Sequence, residues 1–427
     1  MIAPSIIALV AIQLLSHGVK AADLPPGAVS RMTLKSPLSD PAAKIVKIKH
    51  GPYTVPANGM VNNAMTPKVA LPCTDCYITA MQAGLEYADG TEANIDTGAW
   101  LHHMVLYNTG QKDAICARKS ALKLWPQRIF SSGNERTLAR LNANGNWGLP
   151  VLGTDTFGLL TELMNEAAEP KSLYLTMLYE YVPASTAGYK AATIIEMDAT
   201  ECGDSELPAK EGVYEYHSAE WVSPYSGEIL WVIGHGHDGA TDVNMLKNGK
   251  VACNSVQYYG LEPAFVAPGA GEMPSVDNVH QLNDSGHAHG GASTSMKHIS
   301  NTAVCTNIGR LEKGDKLVVE GLYNSTKYAQ MAGHGEHALE PQMAISFLYL
   351  GLDQGLSITP DTTTPVRMPV EIQGNIPTGF GCPGLPVYLI PNQLSAMMAF
   401  LGLGTGSACM QGGVNMPNLG SQIVSQT

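Results

Sequence analysis

Ile229-Leu230-Trp231-Val232-Ile233-Gly234-His235-Gly236-His237-Asp238-Gly239 is an apolar run that opens into two histidines one residue apart. Five large apolar residues ahead of a glycine read as a short buried strand. Side chains alternate across a strand, so if the strand continues, His235 and His237 share a face and can grip one transition metal. The flanking glycines let another backbone or a substrate approach closely. A pair of surface histidines at a strand end has the same spacing, and a lone His-x-His does not separate the two.

Similar runs lie on both sides. Residues 76–85, 101–107, 173–182 and 191–197 read as strands ahead of it, with a helical stretch over 121–141 among them. Residues 227–233, 250–259, 316–323 and 343–350 form a second set. Short strands with Gly/Asn turns predict antiparallel sandwiches, and 44 glycines and 27 prolines fit many turns better than a helix bundle. The expected organisation is a signal peptide over 1–21, an irregular extended lead-in over 22–70, sandwiches over 71–205 and 206–358, and a Pro/Gly-rich extension over 359–427. Residues 264–300 read as a Gly/Ser/His-rich insertion in the second sandwich, and the C-terminal tail as disordered.

The chain has 427 residues, 44% of them hydrophobic, which is enough for a sizeable core. A net charge of −12 argues against a nucleic-acid partner. The apolar run 6–15 is too short to span a bilayer and suits a secretory h-region, with Val19-Lys20-Ala21 as its cleavage site. The amino terminus supplies that region's only positive charge. Eight cysteines, Cys73, Cys76, Cys116, Cys202, Cys253, Cys305, Cys382 and Cys409, fit disulfides in an exported chain, with connectivity open. Asn283 and Asn324 head N-glycosylation triplets. The reading is a secreted monomer with no membrane span.

Thirteen histidines are present. His102-His103 sits inside an apolar run, where adjacent side chains face opposite ways unless the strand twists or bulges. Met343 opens a hydrophobic strand; thioether sulfur suits Cu(I) and imidazole suits both copper states. With 19 methionines, a core role for Met343 is the plain alternative. His287-Ala288-His289 repeats the spacing in the insertion, beside His280 and His298, and His334 and His337 follow later; an unstructured site costs ordering entropy on binding. His217 stands alone. Metalloprotease, nucleophile-elbow, P-loop and dinucleotide signatures are all missing.

Taken in order, these pieces resemble the ascorbate-dependent type II copper monooxygenases, the peptidylglycine α-hydroxylating and dopamine β-monooxygenase family. Asn94-Ile95-Asp96-Thr97 followed by His102-His103-Met104 resembles its first copper site. Gly234-His235-Gly236-His237 resembles its second-domain His pair, followed by an Asn-Gly-containing strand at Lys247-Asn248-Gly249-Lys250. Glu312 to Val319, then Tyr323-Asn324, resembles the strand before the last ligand, and Met343 resembles that ligand. The likeness covers roughly residues 70–350. The form His-x-His-Asp-Gly-Ala also resembles a stress-upregulated nodulin family.

The resemblance implies an all-β fold of two packed antiparallel jelly-roll sandwiches, each with one copper. His235, His237 and Met343 would hold the oxygen-binding copper, and His102 and His103 part of an electron-transfer copper. The family's third histidine there falls on Leu178, which cannot ligate; His217, Met177 or Met104 would have to substitute, or that copper is weakly held or absent. Ile345 and Phe347 follow Met343, so polar substrate anchors are not evident and a peptide substrate is not carried over. The expectation is a secreted copper monooxygenase taking a small substrate and ascorbate or another reductant. The alternatives are a non-catalytic copper-binding protein and a cupin-like metal enzyme.

Overall fold

The computed structural model describes residues 40–116, 125–202, 205–261, 263–265, 297–332, 339–353 and 420–425, with Pro25, Ala28 and Leu34. Among them the chain is nearly all β. The first half carries β1 Lys44–Val55, β2 Gly59–Val69, β3 Cys76–Glu86, β4 Ala99–Lys112, β5 Pro126–Ser132, β6 Ala139–Arg140, β7 Trp147–Val151, β8 Phe157–Asn165, β9 Lys171–Pro183 and β10 Lys190–Asp198. The second carries β11 Val213–His217, β12 Trp221–Val222, β13 Gly227–His235, β14 Ala240–Lys247, β15 Lys250–Tyr259, β16 Ile299–Thr302, β17 Val304–Cys305, β18 Arg310–Leu311, β19 Lys316–Asn324 and β20 Ile345–Leu352. β21, Gly420–Ser425, follows near the C-terminus.

Three sheets result. The largest runs β17-β13-β20-β10-β7-β3-β9-β1-β21 and so takes strands from both halves, joined where β10 pairs antiparallel with β20. A smaller sheet runs β2-β8-β4-β5, and a third β11-β19-β14-β15-β16. All pairings are antiparallel apart from a short parallel contact of β10 with β7. Strands β3 and β20 are buried on both faces, which is why they read as continuous apolar runs rather than alternating ones.

One core cluster gathers Ile78, Leu101, Met104 and Phe157 from the first half with Ile233, Ile345 and Phe347 from the second. A second packs Val243, Met245, Leu317 and Val319 against Leu348 and Leu350. Each such side chain contributes about 1.5–3 kcal/mol by leaving water.

Several expectations change. The helix over 121–141 is not formed in its described part. Pro126 opens β5 instead, because Arg128 and Phe130 gain more from pairing with β4 and burial than from a local helix. The lead-in over 22–70 contains β1 and β2. Gly420–Ser425, expected in a disordered tail, pairs antiparallel with β1. Asn248-Gly249 is not within a strand: both residues have positive φ, 52° and 74°, and turn β14 into β15. The signal segment, residues 266–296, Asn283, Cys382 and Cys409 lie outside the described residues.

Among the described residues three disulfides form, Cys73–Cys76, Cys116–Cys202 and Cys253–Cys305. Cys116–Cys202 spans 86 residues. Replacing both by Ala is expected to cost about 4–5 kcal/mol on chain-entropy scaling, read as a lowered urea midpoint. An unchanged midpoint would show that this bond does not staple the fold.

Candidate metal centre

His102 and His103 are adjacent on β4, yet both line one cavity of about 240 Å³. The register explains this: Leu101 pairs with Leu163 of β8 and His103 with Glu162, so His102 is the extra residue of a bulge. The bulge turns two neighbouring side chains to the same side.

On the facing sheet, His235 ends β13, opposite Ile345, and His237 follows in the turn closed by Ala240 N–H donating to its carbonyl at 3.0 Å. The glycines around the pair are needed for space. A Cβ on Gly234 would come within 2.5 Å of the Val243 carbonyl oxygen, and one on Gly133 within 2.8 Å of His235 Cε1.

The four imidazoles meet ring to ring. His103 Nε2 lies 3.2 Å from His235 Nε2 and 2.9 Å from His237 Nε2. Donor nitrogens of His102, His103 and His237 fall within 4.8 Å of one another. Each ring turns its other nitrogen outward to an acceptor. Glu162 Oε2 takes His103 Nδ1 at 2.9 Å and His102 Nδ1 at 3.3 Å. The Pro341 carbonyl takes His237 Nδ1 at 2.5 Å, and Glu135 Oε1 faces His235 Nδ1 at 3.5 Å.

Carboxylates and carbonyls only accept, so the hydrogen of each neutral ring is assigned to Nδ1 and Nε2 is left as a bare lone pair. Bare lone pairs at 2.9–3.2 Å repel. A cation among them removes that repulsion, and such spacing suits imidazoles sharing one ion at about 2.0–2.1 Å, the bond length for imidazole on zinc. The residues therefore fit a metal ion with several imidazole ligands, each oriented by an outer acceptor.

The charges agree. Burial holds His103 down to about 4, with His102 and His235 pushing the same way. His237 lies well below its usual value through burial and then the neighbouring rings. Both are neutral and able to ligate at neutral pH. Burial pushes the Glu162 carboxyl up, but hydrogen bonds from His102 and His103 outweigh it and hold Glu162 below the carboxylate range. Burial likewise opposes Glu135, which His235 holds down to about 2. Burial lowers His102, but Glu162, Glu340 and Asp238 together raise it. His102 Nε2 is buried without a hydrogen-bond partner, 3.6 Å from Glu340 Oε1.

The resemblance sets His102 and His103 apart from His235 and His237, whereas the structure brings the two pairs together. His102 and His103 stand against His235 and His237 in one cluster, and Met343 lines the same cavity. Leu178 is buried with Leu34 and Ala80. Of its candidate substitutes, Met177 sits in the main core, and His217 is 40% exposed beside Glu215 and Glu320 on another sheet. Met104 alone of the three lines the cavity. His298 is buried but bound to Asp238 at 2.5 Å and is not among the four. Asn324 ends β19. His287, His289 and His334 lie outside the described residues.

Sequence reasoning passed over Glu162, Glu135, Glu340, Arg128 and Glu196. For Glu162 and Glu196 a signal existed: each is a lone carboxylate inside an apolar strand, Leu159-Leu160-Thr161-Glu162-Leu163 and Ile194-Ile195-Glu196-Met197. A buried charge in such a run must be paired.

Comparison with known proteins gives the class. The chain is 31% identical over 309 residues to the probable copper-dependent oxygenase M1 of Phoma sp., covering 71% of this chain and 72% of that one. It is 29% identical over 273 residues to the probable copper-dependent oxygenase clz3 of Cochliobolus lunatus, covering 63% and 78%. This chain belongs to the family of these probable copper-dependent oxygenases. No family profile matches it. Among solved structures, PNGF-II aligns over 72% of this chain and 65% of its own at TM-score 0.33 and 10% identity. Peptide:N-glycanase F aligns over 74% and 97% at TM-score 0.34 and 10% identity. Both likenesses are too slight to carry an argument.

Glu162→Gln keeps the volume but removes the charge that takes two Nδ1 hydrogens. Copper affinity is expected to fall about 10–100-fold, measured by chelator competition. Unchanged affinity would remove the orienting role of Glu162.

Proposed function

We propose that this chain is a copper-dependent oxygenase built on one compact centre, with His102, His103 and His237 as ligands and His235 beside them. The observation that carries the reading is that donor nitrogens of His102, His103 and His237 fall within 4.8 Å of one another while Glu162 and the Pro341 carbonyl hold their Nδ1 atoms. Met343 at the same cavity offers the soft donor that suits Cu(I). Bound copper would supply the redox chemistry that activates dioxygen for insertion into a substrate C–H bond. The finer likeness to the ascorbate-dependent monooxygenases rests on the order of these residues along the chain, and ascorbate is the reductant it suggests.

The chain's own residues do the rest. Glu162 keeps His102 and His103 in the Nδ1–H form with Nε2 inward, and the Pro341 carbonyl does the same for His237. Burial of His102 and His237, with His103 and His235 only slightly exposed, limits bulk water where a reactive species would form. A cavity of about 240 Å³ beside the histidines admits a small substrate; that space favours an enzyme over a copper carrier. Export is part of the proposal, supported by the apolar run 6–15 and by three disulfides, which persist in oxidising compartments.

The test is copper content of the full chain together with ascorbate-dependent oxygen uptake. One tightly held copper per chain with uptake is expected, and His237→Ala is expected to abolish both. Unchanged copper in that variant would sink the assignment. Two equally tight coppers would return the two-site arrangement. Copper without uptake would leave a binding protein.

A further inference from the structure

The cavity has two ends, and only one is made of histidines. Across the largest sheet, His235 pairs with Ile345 on β20, and two residues along Phe347 pairs with Glu196 on β10. Side chains two apart on a strand share a face, and all four line the cavity. Two strand spacings and two residue rises separate the His235 and Glu196 backbones by about 12 Å. Ile345 and Phe347 form the apolar floor between. The polar anchor that the sequence around Met343 did not show is therefore present, but it comes from β10.

Glu196 is buried and incompletely used. Arg128 gives it one bond, Nη1 to Oε1 at 2.8 Å, while the rest of that guanidinium is committed elsewhere. Nε and Nη2 reach Asp113 at 2.9 and 3.2 Å, and Nη2 also reaches the Glu196 carbonyl oxygen and Cys116 Sγ, both at 3.1 Å. Among the described residues, Glu196 Oε2 takes only a long bond from Ser131 Oγ, 3.3 Å. A carboxylate oxygen has two acceptor positions, so Oε2 keeps one. The charges are unbalanced too: one guanidinium faces Asp113 and Glu196, with Asp198 acting on the same group. Burial foremost, then Asp113 and Asp198, push Glu196 up to about 7 against the pull of Arg128. A partner that donates a hydrogen bond or brings positive charge relieves this strain.

We propose that the cavity takes a substrate with an apolar skeleton and one hydrogen-bond-donating group, an alcohol or an amine, which docks on Glu196 while Ile345 and Phe347 carry the skeleton toward the histidines. This rests on the cavity being the substrate site of the proposed oxygenase. Glu196 is a binding residue at the far end from the chemistry, and it sets which position along the skeleton faces the metal centre.

The test uses the full-length, copper-loaded chain without reductant, so that binding is read without turnover. The probes are n-octanol, n-octylamine and n-octane, titrated against tryptophan fluorescence. At least one of the two polar probes should bind about tenfold tighter than octane, roughly the worth of one hydrogen bond to a charged group. Preference for octanol identifies the donor as an alcohol, and preference for octylamine as an amine. Glu196→Leu should erase the preference and keep octane binding. Equal binding of all three probes to the wild type, or a preference that survives Glu196→Leu, overturns the proposal. Should that variant not fold, the carboxylic C=O infrared band of the wild type must shift when the preferred probe binds; an unmoved band overturns it equally. Copper content of the same samples separates the two readings: copper bound without probe preference strikes this inference alone, and absent copper with the preference intact strikes the metal centre alone.

Discussion

Glu162 sits on a strand of apolar neighbours and stays charged only because two imidazole N–H groups reach it. The dependence runs both ways. Its charge assigns the hydrogens of His102 and His103 to Nδ1, and that assignment turns their Nε2 lone pairs inward. The His103 lone pair then meets those of His235 and His237 at 3.2 and 2.9 Å, separations that neutral rings do not tolerate alone. An ion is thus implied by the acceptors behind the histidines as much as by the histidines themselves. Were Glu162 apolar, the rings would rotate to satisfy Nδ1 elsewhere and the convergence would dissolve. The bulge at His102 belongs to the same constraint, since without the extra residue only one of the two rings could reach Glu162 from the cavity side.

The fold brings these groups together by sheet packing rather than by any local motif. His103 and His237 are 134 residues apart in sequence. They meet because β4 and β13 lie in different sheets whose facing sides share one apolar core, where Leu101 and Met104 join Ile233, Ile345 and Phe347. The pairing of β10 with β20 ties the two halves into one sheet. Closing long loops costs entropy that grows only slowly with length, so a site assembled from distant strands is affordable where the core around it is large. That core also fixes ring positions more tightly than a loop could. The site therefore sits between two rigid walls, with one strand, β20, forming the floor from the metal end to Glu196.

Much of this was legible in advance. The apolar runs marked β3, β9, β10, β13 and β20 because these strands are buried on both faces or nearly so. β1 was missed although Lys47 and Lys49 alternate with Val46, Ile48 and His50; those two lysines masked a period-two pattern, and Pro52 at a register shift obscured it further. In place of the helix expected over 121–141, the described part forms β5, where Asp113 and Glu196 pair the buried Arg128, a partnership that local sequence does not disclose. All four central histidines were recognised as pairs, yet their partition between two coppers came from resemblance in chain order. Chain order carries no distance. Nothing in Leu101-His102-His103 discloses a bulge, and nothing in either pair discloses that the two face each other.

That merging bears on how electrons would arrive. Insertion of one oxygen atom into a C–H bond requires two electrons beyond those of the substrate. In the two-site arrangement suggested by resemblance, a second set of histidines would store one of them at a distance. Here the position that would complete such a set is Leu178, packed against Leu34 and Ala80, and the histidines that would begin it are already part of the single cluster. On the proposed reading, both electrons must reach one place from an external donor, through a cavity the substrate also occupies. A substrate anchored at its far end by Glu196 leaves the histidine end accessible before it docks and shielded afterwards. On that reading one centre would receive both electrons, and no separate relay is needed.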